Sequence, residues 1–154
     1  MTVLHDEIFH KTDYIALDDI QRVALIKKII FQWGISALIE EIAEVLQTDT
    51  EEDVFIVSLI LRDICIKNRQ IPDFNEIVEK CRYAVEKSAI FQHMNINLYS
   101  HDRLIRETSY ITFGKIAFTH NKVYLKKAIN YYKEHFPDQL ERLEFEYTWL
   151  AHLN

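Results

Sequence analysis

Apolar residues recur at helical spacing along most of this chain, beginning at about Asp18. One apolar stripe runs from Ile20 to Ile30 and a second from Leu38 to Leu46, with Gly34 between them. A spacing of three to four residues places apolar side chains on one face of an α-helix. The pattern therefore predicts two helices, or one helix that is broken near Gly34.

The longest apolar run, from Val54 to Ile66, follows a helix-start signal at Thr50. A threonine cap and acids in the first turn satisfy free amide groups and favour the positive end of the helix dipole. The helix should extend to about Asn68, because the residue before Pro72 avoids helical geometry. We expect this helix, near residues 51–68, to be the buried centre of the fold.

Further helix-start signals predict where the remaining helices of the chain begin. Asp73 begins a sequence that resembles a capping box, which predicts a helix to about Phe91. Residues 100–102 offer another helix cap, and a break is expected near Asn121. Because proline suits the first turn of a helix, Pro137 indicates a corner before the last one.

The composition agrees with a helical protein. Two glycines and two prolines in 154 residues are far below the average usage of about 7% and 5%. Tight β-hairpins depend on steps such as Asn-Gly or Asp-Gly, and the sequence has neither. We therefore predict an all-α fold, a single compact bundle of roughly six to seven helices in one domain over residues 1–154. Residues 1–16 are expected to be a loosely ordered N-terminal segment.

Charge and hydropathy restrict the location of the protein. The longest apolar run is about two-thirds of a bilayer-spanning helix, and Arg62 and Asp63 interrupt it. Asp6 and Glu7 stand where a signal peptide carries basic residues. We expect a cytoplasmic protein that contacts no membrane.

The strongest chemical signal is a run of acids. Between Lys28 and Arg62 the chain has seven acidic residues and no lysine or arginine. A sustained field of one sign faces solvent, a cation or a basic partner. We predict a non-enzymatic interaction or regulatory protein, of the antitoxin, immunity, inhibitor or adaptor kind, that presents this surface to a basic protein. The expected partner-binding residues are Glu40, Glu41, Glu44, Asp49, Glu51 and Glu52.

The last helix carries apolar residues on two sides. Leu140 and Leu143 belong to one stripe, and a second stripe lies opposite. Unless this helix is central and covered on both sides, burial of one stripe leaves the other exposed. We expect self-association, as a homodimer, through Phe145, Trp149 and Leu153.

The pattern Glu40-Glu41-x-x-Glu44 resembles the first half of the metal site in MazG-type nucleotide pyrophosphohydrolases, an all-helical family whose carboxylates hold magnesium. That family has Glu-x-x-Asp on the next helix, where this chain has Ile60-Leu61-Arg62-Asp63. The resemblance implies an alternative function, metal-dependent nucleotide hydrolysis, with Mg²⁺ held by Glu40, Glu41, Glu44 and Asp63. The interaction protein would need no cofactor.

Basic residues are concentrated in a later part of the chain. Lys115, Lys122, Lys126 and Lys133 would form one stripe if residues 115–133 were a single helix. The expected break near Asn121 leaves open whether this stretch is one helix or two. The net charge of −6 disfavours nucleic acid as a partner.

Overall fold

The computed structural model describes residues 13–48, 50–116 and 121–146. Within these ranges the chain forms eight α-helices and two short 3-10 helices, with no strand, which confirms the all-α fold. None of the described helices is long and apolar enough to cross a bilayer. The helices are α1 Asp19–Trp33, α2 Ile35–Val45, α3 Glu51–Cys65, α4 Asn75–Lys87, α5 Ile90–Asn97, α6 Arg103–Lys115, α7 Asn121–His135 and α8 Pro137–Glu146.

Gly34 separates α1 from α2, as the apolar pattern predicts. Its φ of 87° lies in the region that glycine enters at little cost, and its N–H donates to the carbonyl of Ile30 at 2.8 Å. The corner before α8 is also confirmed, since Pro137 is the first residue of that helix. Residues 115–133 belong to two helices, so the four lysines do not form one continuous helical stripe.

The extra helix arises at Ser88. The sequence predicted one helix to about Phe91, but Ser88 adopts an extended conformation and divides it into α4 and α5. The Ser88 hydroxyl donates to the carbonyl of Val85 at 2.7 Å and accepts from the N–H of Ile90 at 3.1 Å. One side chain therefore closes α4 and opens α5.

Two of the predicted caps are wrong in detail. Asp73 lies inside the 3-10 helix Pro72–Phe74, and α4 begins at Asn75 without a side-chain cap. Thr50 does occupy the position before α3, but its side chain makes no capping hydrogen bond.

α3 is the buried central helix, as expected, although it ends at Cys65 because Ile66 is extended. It packs mainly against α6 and α4. Glu51 meets Asp102 at one end of the α3–α6 pair, and the Nε of Arg62 donates to the Oγ1 of Thr112 at 3.3 Å near the other end. The two helices therefore run parallel. The buried residues of α3 are Val54, Ile56, Val57, Ser58, Ile60, Leu61, Ile64 and Cys65.

The described end of the predicted N-terminal segment, residues 13–16, is anchored through Tyr14, and residues 1–12 lie outside the described part of the chain. Tyr14 begins a 3-10 helix and is fully buried. Its hydroxyl donates to the Oδ2 of Asp63 at 2.6 Å, and the Nε of Arg22 donates to the same oxygen at 2.9 Å. Arg22 also contacts Asp19 and donates to the carbonyl of Leu17 at 2.8 Å.

We expect Tyr14→Phe to lower the free energy of unfolding by about 1.5–3 kcal/mol, since it removes a buried hydrogen bond to a carboxylate and leaves the ring in place. Urea denaturation measures the change. Tyr83→Phe is the matched control, because Tyr83 is 63% exposed, and it should have no effect. Equal stability of the two variants would contradict an anchoring role for Tyr14.

Candidate functional site

Glu40 and Glu44 lie on the outer face of α2, where both side chains are exposed. They line a groove of about 660 Å³ between α2 and α4. The groove also contains the exposed Tyr83 and Lys87 of α4, with the Nζ of Lys87 lying 4.8 Å from the centre of the Tyr83 ring. The structure therefore brings the two predicted acids together in a concave surface.

A second cavity continues this groove along the end of α2. It measures about 620 Å³, and Gln47 and His93 line both cavities. The amide nitrogen of Asn97 donates to the carbonyl of Leu46 at 2.8 Å, which ties α5 to the end of α2. We call the two cavities together the α2 groove; it extends from Ser36 to Asp102.

Glu41 does not belong to this surface, and its prediction as a partner-binding residue is corrected here. It is only 1% exposed, and the neighbouring residues Leu38, Ile42 and Val45 are buried on the same side of α2. A shift of one position turns a side chain by about 100° around a helix, which takes Glu41 from the outer face into the interior.

Glu51 and Glu52 are exposed in the first turn of α3, and Glu51 contacts Asp102, which lines the α2 groove. Asp102 is the N-cap of α6 and accepts from the N–H of Ile105 at 3.1 Å. The hydrogen bond between the Glu51 and Asp102 carboxyls raises the pKa of Glu51 and lowers that of Asp102. Asp49 lies outside the described residues.

The alternative magnesium site is not assembled among the described residues. Asp63 accepts from Arg22 and Tyr14 beside α1, while Glu41 is buried in α2. Nowhere in the described ranges do three or more His, Cys, Asp or Glu side chains lie close enough together to hold a metal ion.

The self-association surface stays a prediction. The side chain of Phe145, and Trp149 and Leu153 entirely, lie outside the part of the chain that the structure describes. Leu140 and Leu143, the members of the other stripe that the structure describes, are buried.

Sequence reasoning missed the residues that turn the acidic face of α2 into a groove. Tyr83 and Lys87 are four positions apart, so the sequence places them on one face of α4. Nothing in that spacing shows that this face lies beside α2. His93 was missed because the break at Ser88, which redirects the chain into α5, was missed.

Comparisons of this chain with models of protein families, with curated proteins and with solved structures give no match. We therefore infer a function from the geometry, charge and burial of the described residues.

The contact between Glu51 and Asp102 makes a pH-dependent prediction. A raised pKa in the folded state means that Glu51 favours folding below its unfolded pKa and loses that contribution as the pH rises through the folded value. The opposite shift of Asp102 gives a contribution that is present above its unfolded pKa and lost as the pH falls. Glu51→Gln keeps a donor to Asp102 at every pH. In this variant the stability that the contact contributes should therefore not fall as the pH rises.

Glu52→Gln is the control, because it removes the same charge from the same helix turn. At pH 7 we expect Glu51→Gln to be the more stable variant in urea denaturation. The two variants should converge near pH about 3, where Glu51 is protonated and donates to Asp102 as the glutamine does. Identical stability at both pH values would show that the Glu51–Asp102 contact has no energetic effect.

Proposed function

We propose that this protein is a non-enzymatic interaction protein that binds a basic segment of a protein partner in the α2 groove. Antitoxins, immunity proteins, inhibitors and adaptors are the kinds of regulatory protein that act in this way. The proposal is supported by the exposed acids of the groove, by its apolar lining and by the net charge of −6.

The placement of Glu44 carries the proposal. A helix C-terminus favours cations, yet Glu44 occupies the last turn of α2, and that turn holds no basic residue. An acid at this position costs about 0.3–1 kcal/mol through the helix dipole. Because local helix stability does not explain the acid, a contact outside the fold is the better account of it.

The shape of the groove defines the partner further. α2 has 11 residues and is about 16 Å long, which suits a partner segment of two to three helical turns. Glu40 and Glu44 are one turn apart, so lysines or arginines four positions apart on a partner helix can reach both. Tyr83 and Ile96, which are 63% and 67% exposed, offer contacts for apolar residues beside those cations.

A synthetic amphipathic peptide with lysines at positions i and i+4 and leucines on the adjoining face is a suitable probe. We expect it to bind the protein in fluorescence anisotropy, and more weakly as salt is added. The double variant Glu40→Gln, Glu44→Gln should weaken binding about three- to tenfold, since each exposed ion pair contributes up to about 1 kcal/mol.

The matched control is Asp73→Asn with Glu134→Gln, two exposed acids that line neither part of the groove. It changes the total charge equally and should leave the affinity almost unchanged. An equal loss in both double variants would show nonspecific attraction. A rise of the melting temperature in MgCl₂ that Glu44→Gln abolishes would favour the metal-dependent enzyme instead.

A further inference from the structure

The outer face of α7 carries a row of exposed lysines, Lys122, Lys126 and Lys133. Each residue turns an α-helix by about 100°, so these three positions fall within about 40° of one another around the helix axis. The buried Ala128 and Tyr132 lie on the other side of the helix. We call the three lysines the lysine face of α7.

The lysine face has the spacing that the α2 groove requires of a partner. Its first two members are four residues apart, as are Glu40 and Glu44, so about 6 Å of helix separates the two charges on each side. With α7 running in the direction of α2, Lys133 lies about 10 Å beyond Lys126, towards the second cavity of the groove. Asp102 lines that cavity.

Local helix stability explains neither side of this match. Lys122 is the second residue of α7, where the positive end of the helix dipole disfavours a cation. The last turn of α2 disfavours Glu44 in the same way. Among the described residues, the lysine face forms no ion pair within the chain, and neither do Glu40 and Glu44. An ion pair between two copies of the chain would offset both penalties.

The lysine face and the α2 groove are neighbours in the fold. Tyr131 of α7 packs edge-on against Tyr99, with ring centres 5.0 Å apart, and Tyr99 lines the second cavity of the groove. The hydroxyl of Tyr132 also donates to the carbonyl of Leu98, which holds α7 beside the groove. Because the two surfaces are adjacent, a two-fold axis between them lets each copy give its lysine face and receive that of the other.

We propose that a second copy of this chain occupies the α2 groove, with the lysine face of α7 against Glu40 and Glu44, in a mutual two-fold dimer. The contact is made twice in such a dimer, which closes the assembly instead of extending it into a filament. Val123, which is 54% exposed, offers an apolar contact beside the lysines.

The inference rests on the acidic α2 groove of the proposed function and adds a control on that groove. A groove that is filled by a second copy is closed to any other basic segment. The dimer and the partner complex are therefore alternatives, and their ratio follows from the two affinities and the two concentrations. Partner binding should release monomers from the dimer.

Exchange of charge between the two surfaces tests the proposal in sedimentation equilibrium of the complete chain at low salt. The groove variant carries Glu40→Lys with Glu44→Lys, and the α7 variant carries Lys122→Glu with Lys126→Glu. We expect the parent protein to be dimeric, and each variant alone to self-associate about tenfold or more weakly, because like charges then meet. An equal mixture of the two variants should restore the dimer, since every contact again joins opposite charges.

Both variants should fold, because each moves the preferred sign of charge to a helix end, at the last turn of α2 and at the first turn of α7. Circular dichroism checks this expectation. Asp73→Lys with Glu76→Lys is the control, since these exposed acids lie at the end of α4 that does not line the groove. It makes the same change of charge as the groove variant and should dimerise as the parent protein does.

A parent protein that stays monomeric, or a mixture of variants that stays monomeric, would overturn the proposal. A dimer that persists in both variants and is lost in Trp149→Ser would also overturn it, in favour of the predicted surface on the last helix. The lysine peptide described above separates this proposal from the proposed function. Peptide binding by a monomeric parent protein would refute only the dimer, whereas a dimer restored in the mixture without peptide binding would support the dimer and refute the foreign partner.

Discussion

The central helices α3 and α6 run in the same direction, and much of the charge distribution follows from this arrangement. Antiparallel neighbours cancel their dipoles, whereas parallel neighbours place two positive ends side by side and two negative ends side by side. Acids gather at the first pair of ends, with Glu51 and Glu52 on α3 and Asp102 on α6. Cations gather at the second, with Arg62 on α3 and Lys115 on α6.

This arrangement separates the charges that stabilise the fold from those that do not. Acids at the two helix starts offset the dipoles, so they need no partner to account for their presence. Glu44 is in the last turn of α2, the wrong end for such a role, and Glu40 is in the middle of the helix. Glu44 is therefore the acid for which we infer a partner outside the fold.

The sequence predicted the elements that depend on local signals. Gly34, the apolar run from Val54 and the corner at Pro137 each act through backbone geometry or periodicity within a few residues, and each was placed correctly. The break at Ser88 was missed because a single serine inside an apolar pattern is a weak signal. A buried acid such as Glu41 was assigned to the surface because charge alone does not show which face of a helix is covered.

The functional surfaces were harder to predict, because each combines residues that are distant in sequence. The acids of α2 were identified, but the contribution of α4 and α5 to the groove depends on how the helices pack. The cleft between α1, α3 and the end of α6 was not predicted at all, since its charged residues include positions 22, 62, 67, 69 and 115, which are far apart in sequence. No local pattern shows that the parallel helices bring them together.

The hydrogen bonds of Arg22 join two parts of the molecule that are separate in sequence. Its guanidinium contacts Asp19 at the start of α1 and Asp63 of α3, and it shares Asp63 with Tyr14 of the N-terminal segment. Removal of Arg22 would therefore leave Asp63 with one donor fewer and weaken the attachment of α1 to α3. The start of α1 and the docking of Tyr14 thus depend on the same carboxylate of the central helix.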